Sequence, residues 1–297
     1  MTKPFEVKKL SEYQRQMDRF ENVNDAYILP DVRLVVRMDA HRFGEGWTHL
    51  AKEEYPYSSR LVEALIGTAK KLMCLDIRVS YSFIHGDEIS LLFDKIESTG
   101  LRRRAKLLTH LASAAAVFFY EEYKLPVFFR SKLSELPSDE HVLDYFFWQR
   151  KVAHRNYYSS VLSHILTKQG LSPQDINQKI TGLTEEEYPK VASQAGIKLA
   201  EIPPTFLTGA GLWWNKNEDQ NFEIEIAKSL PKEDTKYLNL LLDKINAPTF
   251  IPEVAGANIS EKSASDSSVS KVHSKDKNTS IGFRITGNKG AKVINPK

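Results

Sequence analysis

The chain has 297 residues, of which 41% are hydrophobic and 27% charged, with a single cysteine and a net charge of +3. That length carries one large or two small domains with a real core, and the composition is that of an ordinary soluble globular protein with no apolar run near the ~20 residues a membrane span needs. One cysteine, Cys74, excludes an internal disulfide and a cysteine-built metal site, and fits a reducing, cytoplasmic setting. The segment Met1–Glu6 lacks the apolar core of a secretory signal. Eight Lys/Arg against three Asp/Glu fall between Ala257 and Lys297, so the remainder is near −2 and the folded part has no global charge for nucleic acid.

The run Val32-Arg33-Leu34-Val35-Val36-Arg37-Met38-Asp39 predicts a buried strand ending on a carboxylate. A helix follows from Ser59, capped by Ser58 or Ser59, with Leu61, Val62, Leu65, Ile66, Leu72 and Met73 at helical spacing. Cys74 ends this run and reads as a packed thiol. Residues 77–84 alternate as a half-buried strand, His85-Gly86-Asp87-Glu88 is a turn, and Ile89 to Phe93 returns as the second arm of a hairpin. A long helix spans Leu101 to Tyr123, Pro126 stops it, and Val127 to Leu133 reads as another strand. The order βαββαβ is the split βαβ arrangement.

The second half reads as helical. One helix opens at Ser138 and runs through Trp148, and another spans Asn156 to Lys168. A third opens at Ser172-Pro173, and a fourth carries Thr184 and Glu187 at capping-box spacing. Pro203-Pro204 and Gly209-Ala210-Gly211 mark turns. A strand near Phe222–Ile226 and a helix near Tyr237–Ile245 are expected beyond them. The expected layout is a catalytic domain over 1–135, a helical part over 136–214, an extension over 215–254 and a disordered basic tail over 255–297.

In a split βαβ sheet the first strand lies antiparallel to the third, so Asp39 meets the turn carrying Asp87 and Glu88. Such carboxylates repel one another unless a cation neutralises them. Mg²⁺ suits them, because it takes oxygen ligands and shares them with substrate phosphates. Two such ions serve phosphoryl-type transfer. Arg102, Arg103, Arg104 and Lys106 open the second long helix, whose N-terminus favours phosphates. His41, Arg42 and Phe43 follow Asp39 and stand ready to receive a nucleotide.

Val35-Val36-Arg37-Met38-Asp39-Ala40-His41-Arg42-Phe43 resembles the first metal motif of the tRNA(His) guanylyltransferase family. Gly86-Asp87-Glu88-Ile89-Ser90-Leu91-Leu92-Phe93 resembles its second, especially in bacterial relatives that act as 3′–5′ polymerases. The likeness runs in one order over about residues 10–214, through Asp144-Tyr145-Phe146-Phe147-Trp148 and Ala153-His154-Arg155-Asn156 to Gly209-Ala210-Gly211-Leu212-Trp213-Trp214. It implies an α+β fold with a polymerase-palm-like, ferredoxin-like sheet and a mostly helical second half. It implies addition of a nucleotide, typically from GTP, to the 5′ end of tRNA after ATP activation or at a triphosphate end. Asp39, Asp87 and Glu88 would be catalytic, holding two Mg²⁺ ions with the carbonyl of Ala40. Ala40, His41, Arg42, Phe43, Gly44 and Gly86 would line the nucleotide, and Arg37, Arg103 and Lys106 would meet phosphates. Arg150, His154 and Asn156 would serve the tRNA, in a homo-oligomer such as a tetramer.

Several family positions differ here. Ala40 replaces Gly, Gly86 replaces Ser, the Lys-Pro stretch reads Tyr55-Pro56-Tyr57-Ser58, and Phe-Asp-x-Arg reads Phe129-Arg130-Ser131-Lys132. Trp-Arg-Gln becomes Trp148-Gln149-Arg150. Two other readings share the acids: a cyclic-nucleotide synthase, whose hairpin His85-Gly86-Asp87-Glu88-Ile89 resembles, and an inactive RNA-binding module of the same fold.

Overall fold

The structure, a computed structural model, describes residues 9–21, 26–29, 31–41, 58–95, 103–198, 202–217, 221–247 and 249. The chain divides into two units, 1–260 and 261–297, and the whole second unit lies outside the described residues. The expected basic tail, Arg42, Phe43, Gly44 and residues 55–57 also fall outside them.

In chain order the elements are α1 (Leu10–Glu21), β1 (Arg33–Ala40), α2 (Ser59–Met73), β2 (Val79–His85), β3 (Glu88–Phe93), α3 (Arg104–Tyr123) and β4 (Phe129–Leu136). Then come α4 (Asp139–Lys168), α5 (Pro173–Ile180), α6 (Glu187–Gln194), α7 (Pro204–Thr208), β5 (Ala210–Lys216), β6 (Phe222–Ala227) and α8 (Asp234–Ile245). The strands form one antiparallel sheet in the order β4-β1-β3-β2-β5-β6. As expected, β1 lies antiparallel to β3.

Alternation along the strands sorts side chains to two faces. Val36, Met38, Ala40, Ile89 and Leu91 join Leu65, Leu72, Leu111 and Phe119 of α2 and α3 in one apolar core. Val35, Leu92, Tyr81 and Phe83 join Val142, Phe146, Tyr237 and Leu241 of α4 and α8 on the other face. Each fully buried Leu or Phe contributes about 1.5–3 kcal/mol. Ser58, not Ser59, caps α2: its hydroxyl accepts from the Leu61 amide at 3.2 Å. Helix α3 ends where Lys124 turns left-handed (φ 62°), which lets the chain reverse into β4.

Four expectations are corrected. The two helices expected on either side of residue 150 are one helix of 30 residues, because Ala153-His154-Arg155-Asn156 offers neither Pro nor Gly to break it. Its buried positions pass from Val142 and Phe146 against the sheet to Tyr158 and Leu162 in a third core with α5 and α6. Of Gly209-Ala210-Gly211, only Gly209 turns; Ala210 and Gly211 already pair with Ile84 and Phe83 in β5. Gly209 has φ +74°, and a Cβ there would lie 2.5 Å from the Phe83 ring, so no larger residue fits. Pro204 opens the short helix α7 rather than a simple turn. Cys74 is exposed, because the buried face of α2 closes on Leu72 and Met73 and the next residue points away. Helix α1 was not expected; its apolar Leu10, Met17 and Phe20 are exposed, so no core position marks it. No described helix is long and apolar enough to cross a membrane.

Candidate functional site: a charged rung at one end of the sheet

Strand pairing sets the site. Asp39 faces Glu88 across β1–β3, Arg130 across β1–β4, and Glu88 faces His85 across β3–β2. Residues directly opposite on antiparallel strands share a face. One rung therefore reads Arg130–Asp39–Glu88–His85 across four strands. The next rung inward reads Lys132–Arg37–Ser90–Phe83. Both lie on the face that receives α4. A two-residue turn, Gly86-Asp87, joins β2 to β3. Gly86 is left-handed there (φ +54°), and the Asp87 carbonyl accepts from the Ala40 amide at 3.2 Å. That bond ties the turn to the end of β1.

The three acids sit in different fields. Burial pushes the Asp87 carboxyl up to about 6, outweighing its own backbone hydrogen bond and the pull of His85, with Glu88 and Asp39 adding repulsion. Burial also pushes Glu88 up, but the His85 hydrogen bond and the charges of His85, Arg37 and Lys132 reverse it, and Glu88 ends below the usual range. Asp39 receives Nε of Arg130 at 2.9 Å on Oδ2, and the same oxygen takes an Nη2 hydrogen bond.

Behind Glu88 stands a polar relay. His85 Nε2 lies 2.9 Å from Gln149 Oε1 and 3.3 Å from Glu88 Oε2. Two oxygens facing one ring nitrogen require that nitrogen to carry the hydrogen. Gln149, fully buried on α4, donates its amide to the Tyr145 hydroxyl at 3.1 Å, which fixes the orientation of its Oε1. Arg37 closes the other side, 3.5 Å from Glu88 and 5.7 Å from the Trp148 ring centre.

Among the expected site residues, the structure brings together Arg37, Asp39, Ala40, Gly86, Asp87 and Glu88. His41 is exposed beside them, its amide donating to the Phe128 carbonyl at 2.7 Å. Arg103 and Lys106 are not brought in. Helix α3 packs on the opposite face through Leu107 and Leu111, and its start is held by Arg104 to Glu135 near the far end of β4. Arg150 is not at the surface. It is buried, its guanidinium donates to the Lys232 carbonyl, sits 4.5 Å from the Tyr237 ring centre and 3.7 Å from Asp234, and so clamps α8 onto α4. His154 is half-buried against Tyr158, and burial lowers its pKa. Asn156 is exposed on α4. Residue-by-residue reading missed Arg130, Lys132, His85 and Gln149 as site members. The period-two placement of Arg130 and Lys132 in β4 was the available signal.

The donor set fits a hard divalent cation in its chemistry: carboxylate oxygens of Asp39, Asp87 and Glu88 around the end of β1, with the Ala40 carbonyl at the same strand end. Among the described residues no group of three or more His, Cys, Asp or Glu side chains is placed to hold a metal ion; Asp39 is paired with Arg130 and Glu88 Oε2 stands 3.3 Å from His85.

A family model described as Thg1, tRNAHis guanylyltransferase, matches residues 13–143. Over 198 residues the chain is 28% identical to the tRNA(His) guanylyltransferase of Debaryomyces hansenii, a match covering 61% of this chain and 71% of that protein. Over these residues the chain is similar to the tRNA(His) guanylyltransferase family. The crystal structure of the Saccharomyces cerevisiae tRNA(His) guanylyltransferase superposes with a TM-score of 0.59 at 23% identity, covering 69% of this chain and 93% of that one. A bacterial tRNA(His) guanylyltransferase-like protein in complex with ATP gives 0.62 at 20% identity, covering 77% and 98%. These superpositions show that the family fold is shared, with its single antiparallel sheet flanked by helices.

Proposed function

We propose that this chain is a Mg²⁺-dependent nucleotidyltransferase that adds a nucleotide, typically from GTP, to the 5′ end of tRNA in the 3′–5′ direction. The observation that carries this reading is the rung itself, which sets Asp39 beside Glu88 next to Asp87 and flanks them with Arg37 and Lys132. The similarity to tRNA(His) guanylyltransferases supports the substrate class, and the similar bacterial proteins whose structures hold ATP and GTP support both nucleotides as substrates.

Asp39, Asp87, Glu88 and the Ala40 carbonyl would hold the metal, which supplies Lewis-acid stabilisation of charge on the phosphates. The chain's own residues do the positioning. Arg37 and Lys132 stand on the rung next to the acids, where cations attract a triphosphate. His85, held by Gln149, keeps the Glu88 carboxylate ionised and aimed. His154 and Asn156 lie farther along α4, where they serve as contacts for the tRNA body.

The test is direct. The full chain is incubated with Mg²⁺, ATP, GTP and tRNA bearing a labelled 5′-mono- or triphosphate. Extension at the 5′ end is expected, and Asp39→Ala and Asp87→Ala should each lower it by at least 10²-fold, in line with the loss of a principal charge-stabilising group. Failure to extend any mature or 5′-truncated tRNA would overturn the reading, and soluble cyclic products without RNA would replace it.

A further inference from the structure

We infer that Arg130 is a resident counter-ion for Asp39 that a divalent cation must displace, so that this chain carries a built-in competitor for its own metal site. The inference rests on the metal reading above and adds to it a residue that the sequence marks only as a departure from the family pattern.

Three observations carry it. First, the contact is set by register, since Arg130 is the direct cross-strand partner of Asp39. Second, the guanidinium grips one oxygen twice: Nε and Nη2 both donate to Asp39 Oδ2. Charge-assisted pairs of this kind are the strong ones, and a cation seeking that oxygen must take it from two N–H groups. Third, the partners differ in freedom. The Asp39 side chain is 13% exposed and the Arg130 side chain 61%. The carboxylate is fixed at the end of a buried strand, while the guanidinium stands at the sheet edge and water can take it up when it leaves.

Lys132 supplies an internal control. It lies on the same strand and face, one rung inward, opposite Arg37, and its charge acts on Glu88. It raises the local positive field as Arg130 does. The hydrogen bonds recorded at Asp39 Oδ2, however, come from Arg130. General field and direct competition are therefore separable by comparing the two positions.

The experiment titrates the full-length chain with Mn²⁺ and follows free Mn²⁺ by electron paramagnetic resonance, with no nucleotide or RNA present. Arg130→Ala and Arg130→Gln are expected to bind Mn²⁺ roughly five- to tenfold more tightly than the parent, the scale of one charge-assisted hydrogen-bonded pair. Arg130→Lys, which keeps the charge but not the fork, should fall between them and the parent. Lys132→Ala should gain less than about twofold, as expected of a screened charge one rung away. Because Arg130 is mostly exposed on an edge strand, the variants are expected to melt with the parent, and the glutamine variant keeps the aliphatic stem. Equal or weaker Mn²⁺ binding by the alanine and glutamine variants overturns the inference, and so does an equal gain in Lys132→Ala. Absence of Mn²⁺ binding in every chain overturns it as well. Asp39→Asn separates the two levels. If it binds Mn²⁺ as the parent does, the metal site itself is misplaced. If it loses Mn²⁺ while the Arg130 variants gain nothing, the site stands and only the competition falls.

Discussion

The two faces of the sheet are built from the same strands and follow different rules. On the α2–α3 face, β1 and β3 present Val36, Met38, Ala40, Ile89 and Leu91, apolar to the strand end. On the α4 face the same strands carry Val35 and Leu92 as their apolar rung, between Arg33, paired with Asp139, and the polar run of Arg37, Ser90, Asp39 and Glu88. One face is spent on cohesion along its full length. The other gives up its last two rungs to charge, above one apolar rung at Val35 and Leu92. Stability and chemistry are thus expected to separate by face, even between neighbouring residues of one strand.

The sharpest break is on the cohesive face. Phe119→Ala, a fully buried side chain, should cost about 3–5 kcal/mol in a denaturant titration. Asp39→Asn, one strand face away from Met38, weakens the pair with Arg130 but keeps an acceptor and should cost only about 1–2 kcal/mol while abolishing tRNA extension. If the two variants lose stability equally, the division by face is wrong.

A pH dependence sharpens the comparison next. Asp87 is raised from an ordinary 3.8 to about 6, so the folded chain holds this proton more tightly than the unfolded chain does. Its contribution is complete below about 3.8 and is lost as pH rises through 6. Without divalent cations, Asp87→Asn is therefore expected to stabilise the chain at pH 8 by about 2–3 kcal/mol, at about 1.4 kcal/mol per unit, and to do nothing at pH 4. A stabilisation independent of pH would point to packing instead of charge.

The smallest effect tests the relay. Gln149→Leu leaves the buried His85 without its amide partner and should cost about 1–2 kcal/mol. Its larger consequence is a fall in kcat with KM for GTP nearly unchanged, since Gln149 positions Glu88 through His85 and touches no nucleotide. Gln149→Glu, which keeps an acceptor for His85 Nε2, should recover part of that kcat. A loss confined to KM would remove Gln149 from this role.

Much of this was legible in the chain itself. The alternation of β1 and the hairpin, together with split βαβ pairing, predicted the meeting of Asp39 with Asp87 and Glu88, because those residues sit where strands end. Arg130 was not legible as a partner of Asp39. Its placement depends on how the chain reverses at Lys124, which sets the β4 register, and no local pattern states that register. Arg150 was misread because a polar residue in a family-like motif looks solvent-facing until the uninterrupted α4 turns it under α8. Arg103 and Lys106 were misplaced for a related reason: helical spacing shows that α3 has one buried face, but not which side of the sheet receives it. Strand β5 was hidden because Gly209-Ala210-Gly211 looks like a turn, and only pairing with β2 makes two of those residues extended.

The unbroken α4 also acts as a ruler. It begins on the sheet, passes Gln149 behind His85, and continues past Arg155, Ser159, Ser163 and Thr167, which line a cleft of about 760 Å³ with Asn177, Thr181 and Tyr188. At a rise of about 1.5 Å per residue, Thr167 stands roughly 27 Å along the axis from Gln149. With no proline or glycine between them, that span is fixed by the backbone. Any group bound in that cleft would therefore stand at a backbone-set length from Gln149 and the acids beyond it.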